Sequence, residues 1–495
     1  MSFCLRPVPM DMPFITRLIV LLVVASTPPA FGLRLHPLVG DHAVFQRDQP
    51  ITVRGTARAG MLARAAFLDA KNAVVSESAP VSADGTFVVK LPPMPAGGPY
   101  TLRVDEVDPG RGNVGTIFCE DVAVGDLWLA SGQSNMQWRV MDAADGAVVA
   151  AQSVPLVRHL QVARTASEVP LAVAEARWLP TTPQGTRGFS AVAHRFALEV
   201  HEATGVPIGV LHASWGGTGA ASWAPVAALS SEPATASLIA STANHPDPQH
   251  RAGALYNAMI HPLRETPVTG VIWYQGESDA SDAPRYRVLF PLLIKAWRAA
   301  WQRPDLPFLF VQLARYRAPL GVDFVEQPWP PLRAVQAETA ATVPGAAMAV
   351  IVDLDDPDFT DIHPKDKAPV GRRLAKLALR DVYGRGNVAE GPRVEEVLRD
   401  GEAVHVRFAT ASPPLLTDDG KPPAEFWLRS ANGRTERATS VLHDDTVRLT
   451  AEGVGQPVEV LYGWADNPIG VNLTDRSGLP AAPFHLRIPG ANDGK

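Results

Sequence analysis

Between residue 33 and about residue 118 apolar and polar positions alternate over short stretches, as in Ala43-Val44-Phe45-Gln46, Ile51-Thr52-Val53 and Thr86-Phe87-Val88-Val89-Lys90. A period of two puts every second side chain on one face of a strand. Turn-forming groups such as Ala83-Asp84-Gly85 and Ala96-Gly97-Gly98-Pro99 separate the stretches, so the pattern predicts an N-terminal β-sandwich over residues 33–118. From 119 to 388 the period changes. Apolar runs at 122–130, 208–213, 270–274, 308–313 and 348–352 read as buried strands. Phe189, Val192, Phe196 and Val200 mark one helical stripe between them, and Leu289, Leu293, Trp297 and Trp301 another. Strands alternating with helices predict an α/β domain with a parallel, doubly wound sheet between two helix layers. Alternation returns in Val404-His405-Val406-Arg407-Phe408, Thr446-Val447-Arg448-Leu449 and Val458-Glu459-Val460-Leu461-Tyr462, predicting a C-terminal β-rich region over 389–495.

The 495 residues exceed one ordinary core, and 46% hydrophobic content is ample for folding. A net charge of −6 without long like-charge runs leaves no electrostatic footprint for nucleic acid. Residues 1–32 read as a signal peptide: Arg17 precedes an apolar run over 18–25, and Ala30-Phe31-Gly32 supplies small residues for cleavage. That run is far short of the roughly 20 residues needed to span a bilayer. Export to the periplasm or the medium is therefore expected, without stable membrane insertion. Cys4 would leave with the signal, so Cys119 has no disulfide partner; following Ile117-Phe118, it is expected to be a buried, inert thiol. No Cys/His cluster has zinc spacing.

In an open parallel sheet ligands bind beyond the carboxyl ends of the strands, and four such ends carry unusual residues. The first run ends in Gly132-Gln133-Ser134-Asn135-Met136. A Gly-containing turn there lifts a serine above the sheet with backbone N–H groups beside it, although a serine at such a junction also commonly caps a helix. Ser214-Trp215-Gly216-Gly217-Thr218 follows the second run, and its glycines let backbone approach a ligand. Trp273-Tyr274-Gln275-Gly276-Glu277-Ser278 ends the third: the Gln275 amide is a candidate oxyanion donor, and Glu277 a candidate to bind substrate, orient a histidine or cap a helix. Asp361-Ile362-His363-Pro364 follows the last run, before a helix carrying Val370, Leu374 and Leu377; a histidine there can reach back to the serine.

Together these blocks resemble the sialate O-acetylesterase family, relatives of the SGNH hydrolases that also include plant-polysaccharide acetylesterases. Gly132-Gln133-Ser134-Asn135-Met136 is similar to the family's nucleophile block, and Tyr274-Gln275-Gly276-Glu277 and Asp361-Ile362-His363-Pro364 to two more. The likeness extends to Val44-Phe45-Gln46-Arg47, Asn257-Ala258-Met259-Ile260 and Gly463-Trp464-Ala465-Asp466-Asn467-Pro468. It implies a three-layer SGNH/flavodoxin-like sheet and a serine esterase acting on O-acetylated carbohydrate, with no metal or organic cofactor. Ser134 would attack and His363 accept its proton. The oxyanion would be held by the N–H groups of Ser134 and Gly217 and by the Gln275 side chain. Many SGNH enzymes carry an acid three residues before the histidine, where this chain has Thr360. Asp361 is the expected triad acid and Glu277 the second choice; Asp358 or a backbone carbonyl are further alternatives.

Two function classes follow. The first is deacetylation of sialic acids or other acetylated sugars, with an acetylxylan or related plant-polysaccharide esterase as the variant. The second is a non-catalytic carbohydrate-binding protein, in which Trp215, Trp223, Trp273 and Trp329 would stack on sugar rings, although aromatic residues more often build cores.

Overall fold

A computed structural model describes residues 32–490 apart from 70, 71, 322, 355–359 and 387. The expected signal peptide, but for its final glycine, lies outside the described residues, as does Asp358.

The N-terminal alternation forms two facing sheets. Arg34–Leu35, Ile51–Thr56 and Thr86–Leu91 make one; Leu62–Asp69, Asn72–Pro80 and Gly97–Asp108 make the other, together with the start of a 21-residue strand, Gly112–Gly132. Val53, Phe67, Phe87, Val89, Leu102 and Val104 are buried within this layer pair. The boundary expected between 118 and 119 falls inside the long strand. Its first part pairs with Gly97–Asp108 and is largely exposed; from Val122 onward every residue is buried. Asp121, at φ 54°, marks the passage from one environment to the other. No linker separates the sandwich from the α/β unit, because one strand serves both.

The central sheet comprises β1 (Gly112–Gly132), β2 (Val157–Val162), β3 (Ala176–Pro180), β4 (Ile208–Ser214), β5 (Gly270–Tyr274), β6 (Phe308–Val311) and β7 (Ala346–Ala349), in the order β3-β2-β4-β1-β5-β6-β7. All pairings are parallel except that of edge strand β3 with β2. Five of these strands coincide with the apolar runs; β2 and β3 do not. In β2 the buried positions include Arg158 and His159, polar residues whose partners lie far along the chain: Arg158 Nη2 donates to Asp121 Oδ1 (2.7 Å) and His159 Nε2 meets His194 Nδ1 (3.2 Å).

Helices α1 (Ala191–Thr204), α2 (Ala283–Ala300), α3 (Trp329–Thr342) and α4 (Ala368–Asp381) cover both faces of the sheet. Val192, Phe196 and Val200 of α1 pack with Leu374 and Leu377 of α4 against Trp128 and Ala130; Leu289, Leu293 and Trp297 of α2 pack with Leu332 of α3 in the core that holds Leu127 and Leu129. Alternate β1 residues thus serve opposite faces, as the pleat requires. Phe189 precedes α1, which begins at the Ser190 cap, and Trp301 caps the end of α2.

The C-terminal region contributes two further four-stranded sheets sharing a core of Val404, Val406, Phe408, Leu428, Val447, Leu449 and Val460. The whole is a mixed α/β protein with a large central sheet and β-rich flanks. From β1 the chain fills β2, β3 and β4 on one side, then crosses to β5, β6 and β7 on the other. The carboxyl end of β1 is therefore the topological switch point, where open α/β sheets leave a crevice for ligands.

Candidate active site

Gly132, Ser214 and Tyr274 lie in register across β1, β4 and β5, so the three segments following them emerge side by side. Gly132 has φ 134°, and a Cβ there would lie 2.1 Å from the Tyr274 carbonyl oxygen, so no other residue fits without displacing β5. The Gln133 N–H donates to Tyr274 O (3.0 Å) and the Trp215 N–H to Gly132 O (3.1 Å). The chain then enters the short helix Ser134–Gln137. Its cap position is Gln133 and no side chain makes a capping bond, so the Ser134 hydroxyl is not spent on the helix end. Half-buried Ser134 starts the first turn, whose N–H groups have no intrahelical acceptor.

The glycine turn after β4 is tied to the same helix: the Gly216 N–H donates to Gln137 Oε1 (2.7 Å), and a Cβ on Gly216 would sit 3.2 Å from Ser134 Cβ. The next residue, Gly217, is exposed with φ 75°, and its N–H has no hydrogen-bond partner among the described residues. Two backbone donors, on Ser134 and Gly217, thus remain beside the serine.

His363 comes from beyond β7, three strands away from β1, yet its loop docks on the helix that begins at Ser134. Asn135 Nδ2 donates to Ile362 O (3.2 Å), and the Trp138 ring stacks on the imidazole with centroids 4.9 Å apart. Asp361 Oδ1 accepts from both His363 Nδ1 (2.8 Å) and the His363 backbone N–H (3.0 Å). With Nδ1 engaged by Asp361, Nε2 is the ring nitrogen that makes no hydrogen bond among the described residues. Ser134 Oγ and His363 share no hydrogen bond in the described residues; such contacts often tighten only when substrate is bound.

Glu277 is not the histidine's partner: Oε1 accepts from Asn135 Nδ2 (2.5 Å). Burial, the largest influence, holds its carboxyl above the usual carboxylate range. Gln275 also departs from expectation. Its side chain is fully buried, and Nε2 donates to Thr218 O (3.3 Å) and to Asp279 Oδ2 (2.5 Å), while Oε1 accepts from Tyr286 OH (3.2 Å). Both amide hydrogens are engaged, so in this conformation Gln275 offers none to an oxyanion; it braces the floor beneath the Gly217 turn. Asp279 Oδ2 also accepts from the Ala220 N–H (2.9 Å).

Trp223, Trp273 and Trp329 are core residues, which removes them as sugar platforms; Trp215 is half-buried, as is Trp138. Cys119 is buried, and burial pushes its thiol up to about 12. Among the described residues no group of three or more His, Cys, Asp or Glu is placed to hold a metal. Sequence reasoning missed Trp138, Gln137, Asp279, Lys367 and His250, whose Cε1 lies 3.9 Å from the Cβ position of Gly217. Only Gln137 and Trp138, next to the nucleophile block, carried a signal that could have been read.

A sequence model of the family described as carbohydrate esterase, sialic acid-specific acetylesterase, matches residues 124–380. The sialate O-acetylesterase of Pongo abelii is 30% identical over 410 residues, covering 76% of this chain and 76% of its own. That of Mus musculus is 29% identical over 538 residues, covering 95% of this chain and 97% of its own. A crystal structure described as a novel carbohydrate acetylesterase from Xanthomonas citri aligns with a TM-score of 0.82 and 36% identity over 92% of this chain and 99% of that one. The matched segment spans more than half the chain and contains the serine turn, the Gln275–Asp279 floor and the histidine loop, so the chain belongs to the carbohydrate esterase family of sialic acid-specific acetylesterases.

Proposed function

We propose that this carbohydrate O-acetylesterase removes acetyl groups from sialic acids or other acetylated sugars through an acetyl-enzyme formed on Ser134. The observation that carries the proposal is the docking of the Asp361–His363 pair onto the nucleophile helix at the switch point, through Asn135 and Trp138. Ser134 Oγ attacks the acetyl carbonyl while His363 Nε2 takes its proton, and Asp361 holds Nδ1 protonated and the ring oriented. The Ser134 and Gly217 N–H groups receive the developing oxyanion. His363 returns the proton to the departing sugar oxygen, and water, activated by the same histidine, releases acetate.

Helices on both faces of a parallel sheet support assignment to the three-layer SGNH-like class. The apolar run after Arg17 supports export to the periplasm or medium, and no helix among the described residues is long and apolar enough to cross a membrane. The Xanthomonas relative is described only by its action on carbohydrate, which keeps acetylated plant polysaccharides beside sialic acids as substrates. Acetate release from a panel of O-acetylated sialosides and acetylated xylo-oligosaccharides separates the two. Mass spectrometry after treatment with a serine-directed phosphonate should place the adduct on Ser134. An adduct elsewhere overturns the assignment of Ser134, and no acetate from any acetyl ester returns the chain to a binding role.

A further inference from the structure

We infer that Lys367 is a positioning residue that holds His363 in register with Ser134, an inference resting on the serine–histidine reading above. Lys367 is only 1% exposed, an unusual place for an ammonium. Its Nζ donates to Asn135 Oδ1 (2.5 Å), and Asn135 Nδ2 divides its two hydrogens between Glu277 Oε1 (2.5 Å) and Ile362 O (3.2 Å). Nζ also lies 5.5 Å from the Trp138 ring centroid and 5.8 Å from that of Tyr274. Trp138 in turn stacks on His363.

The arrangement has a polarity. A primary amide accepts at one end and donates at the other. A cation at the oxygen and a carboxylate at the nitrogen fix which end is which: reversing the amide would set NH2 against the ammonium and the oxygen against Glu277. With the amide locked, its remaining N–H faces Ile362 O, the carbonyl next to His363, while its own backbone adjoins Ser134. One buried side chain therefore ties together the two segments that must meet, and the cation beneath Trp138 steadies the ring against which the imidazole lies. A lysine buried only to neutralise Glu277 would have no need to act through an amide held by both catalytic segments. Burying these charges is costly, and the return is geometric.

The test is Lys367→Met, of similar length and apolar, with Lys367→Met/Glu277→Gln as its partner. In the single variant kcat should fall about 100-fold, the scale on which small misplacements of reacting groups act, with KM within about twofold. The rate of Ser134 labelling by the phosphonate should fall in parallel. The double variant no longer buries an uncompensated carboxylate, so its thermal transition should return toward that of the wild type while kcat stays low. If activity returns together with stability, Lys367 is a structural counter-charge and the inference fails. It fails equally if folded Lys367→Met keeps kcat within threefold of wild type. Should Lys367→Met not fold, the double variant alone decides. Failure of the underlying serine–histidine reading looks different: the wild type itself would release no acetate or carry the phosphonate elsewhere.

Discussion

Replacing Gln275 with alanine separates a brace from an oxyanion donor. The side chain is buried and makes three hydrogen bonds, to Thr218 O, Asp279 Oδ2 and Tyr286 OH. A bond to a carboxylate contributes about 1.5–3 kcal/mol, and a buried polar group left unpaired costs about 1–3 kcal/mol. Tyr286 is 1% exposed, and its hydroxyl would lose this acceptor. Loss of the Asp279 bond together with the stranded phenol amounts to about 2.5–6 kcal/mol, a large share of the roughly 5–15 kcal/mol by which domains are stable. An oxyanion donor behaves otherwise: its removal leaves stability alone and lowers kcat by roughly 100 to 1,000-fold.

The assay pairs thermal melting with acetate-release kinetics well below the first transition. The protein has several separate cores, so hydrogen exchange of the Thr218–Trp223 and Gln275–Asp282 amides localises the effect. We expect a lower first transition, faster exchange in those segments and a kcat reduced by less than about tenfold, well short of the loss an oxyanion donor would produce. Unchanged melting with a 100-fold or larger fall in kcat would refute the brace and show that the amide turns to the oxyanion during reaction.

Ser134→Ala should fold normally and lose several orders of magnitude in turnover on acetyl esters; appreciable residual turnover would place the nucleophile elsewhere. Asp361→Asn should lower kcat by on the order of 10³ to 10⁴, because an amide facing Nδ1 favours the wrong tautomer; a loss of less than tenfold would remove Asp361 from the triad. Burial raises the carboxyls of Glu277 and Asp279 above their ordinary range. The folded protein then binds those protons more tightly than the unfolded chain, so their contribution is most favourable at low pH and declines as pH rises through the window between unfolded and raised folded values. Denaturation midpoints for Asp279→Asn should decline less than wild type over about pH 4 to 7, and an equal or steeper decline would contradict this.

Apolar runs made β1, β4, β5, β6 and β7 legible because a strand buried on both faces must be apolar throughout. β2 was hidden by Arg158 and His159, whose partners at Asp121 and His194 lie far along the chain. α3 was hidden for a related reason: its buried face carries Arg333 and Gln336 among the apolar positions, which blurs the stripe. In the site, Ser134, Gly217 and His363 stood out because each follows a strand within a turn. The pairing of Asp361 with His363 was the nearest choice in sequence, and a two-residue step brings the carboxylate to Nδ1. The orientation of Gln275 was not legible, since it depends on Asp279 four residues later and on Tyr286 of the following helix. Lys367 was invisible, because a lysine at a helix start ordinarily faces water.

The block Gly463-Trp464-Ala465-Asp466-Asn467-Pro468 matched the family pattern yet supplies none of the groups described beside Ser134, and α3 accounts for its place. Fully buried Arg333 donates to the carbonyl oxygens of Leu313, Ala314, Ala465 and Asp466, all between 2.6 and 2.9 Å. The Asp466 carboxylate accepts from the Trp329 N–H at the start of the same helix (2.9 Å) and from Arg317 (3.0 Å). One turn beyond Arg333, Gln336 donates to Gln275 O and Val311 O and accepts from the Leu313 N–H. The same helix therefore holds the C-terminal β-region at one turn and the ends of β5 and β6 at the next. Where β1 enters the central sheet, Arg47 bonds Asp126 through Nε (2.9 Å) and Gln46 Oε1 accepts the Leu127 N–H (2.9 Å), anchoring the N-terminal region to that strand. Both flanking regions thus clamp the strands whose carboxyl ends carry Ser134 and Gln275. That gives the outlying blocks a physical reason to exist: from outside the site, they hold the elements that carry it.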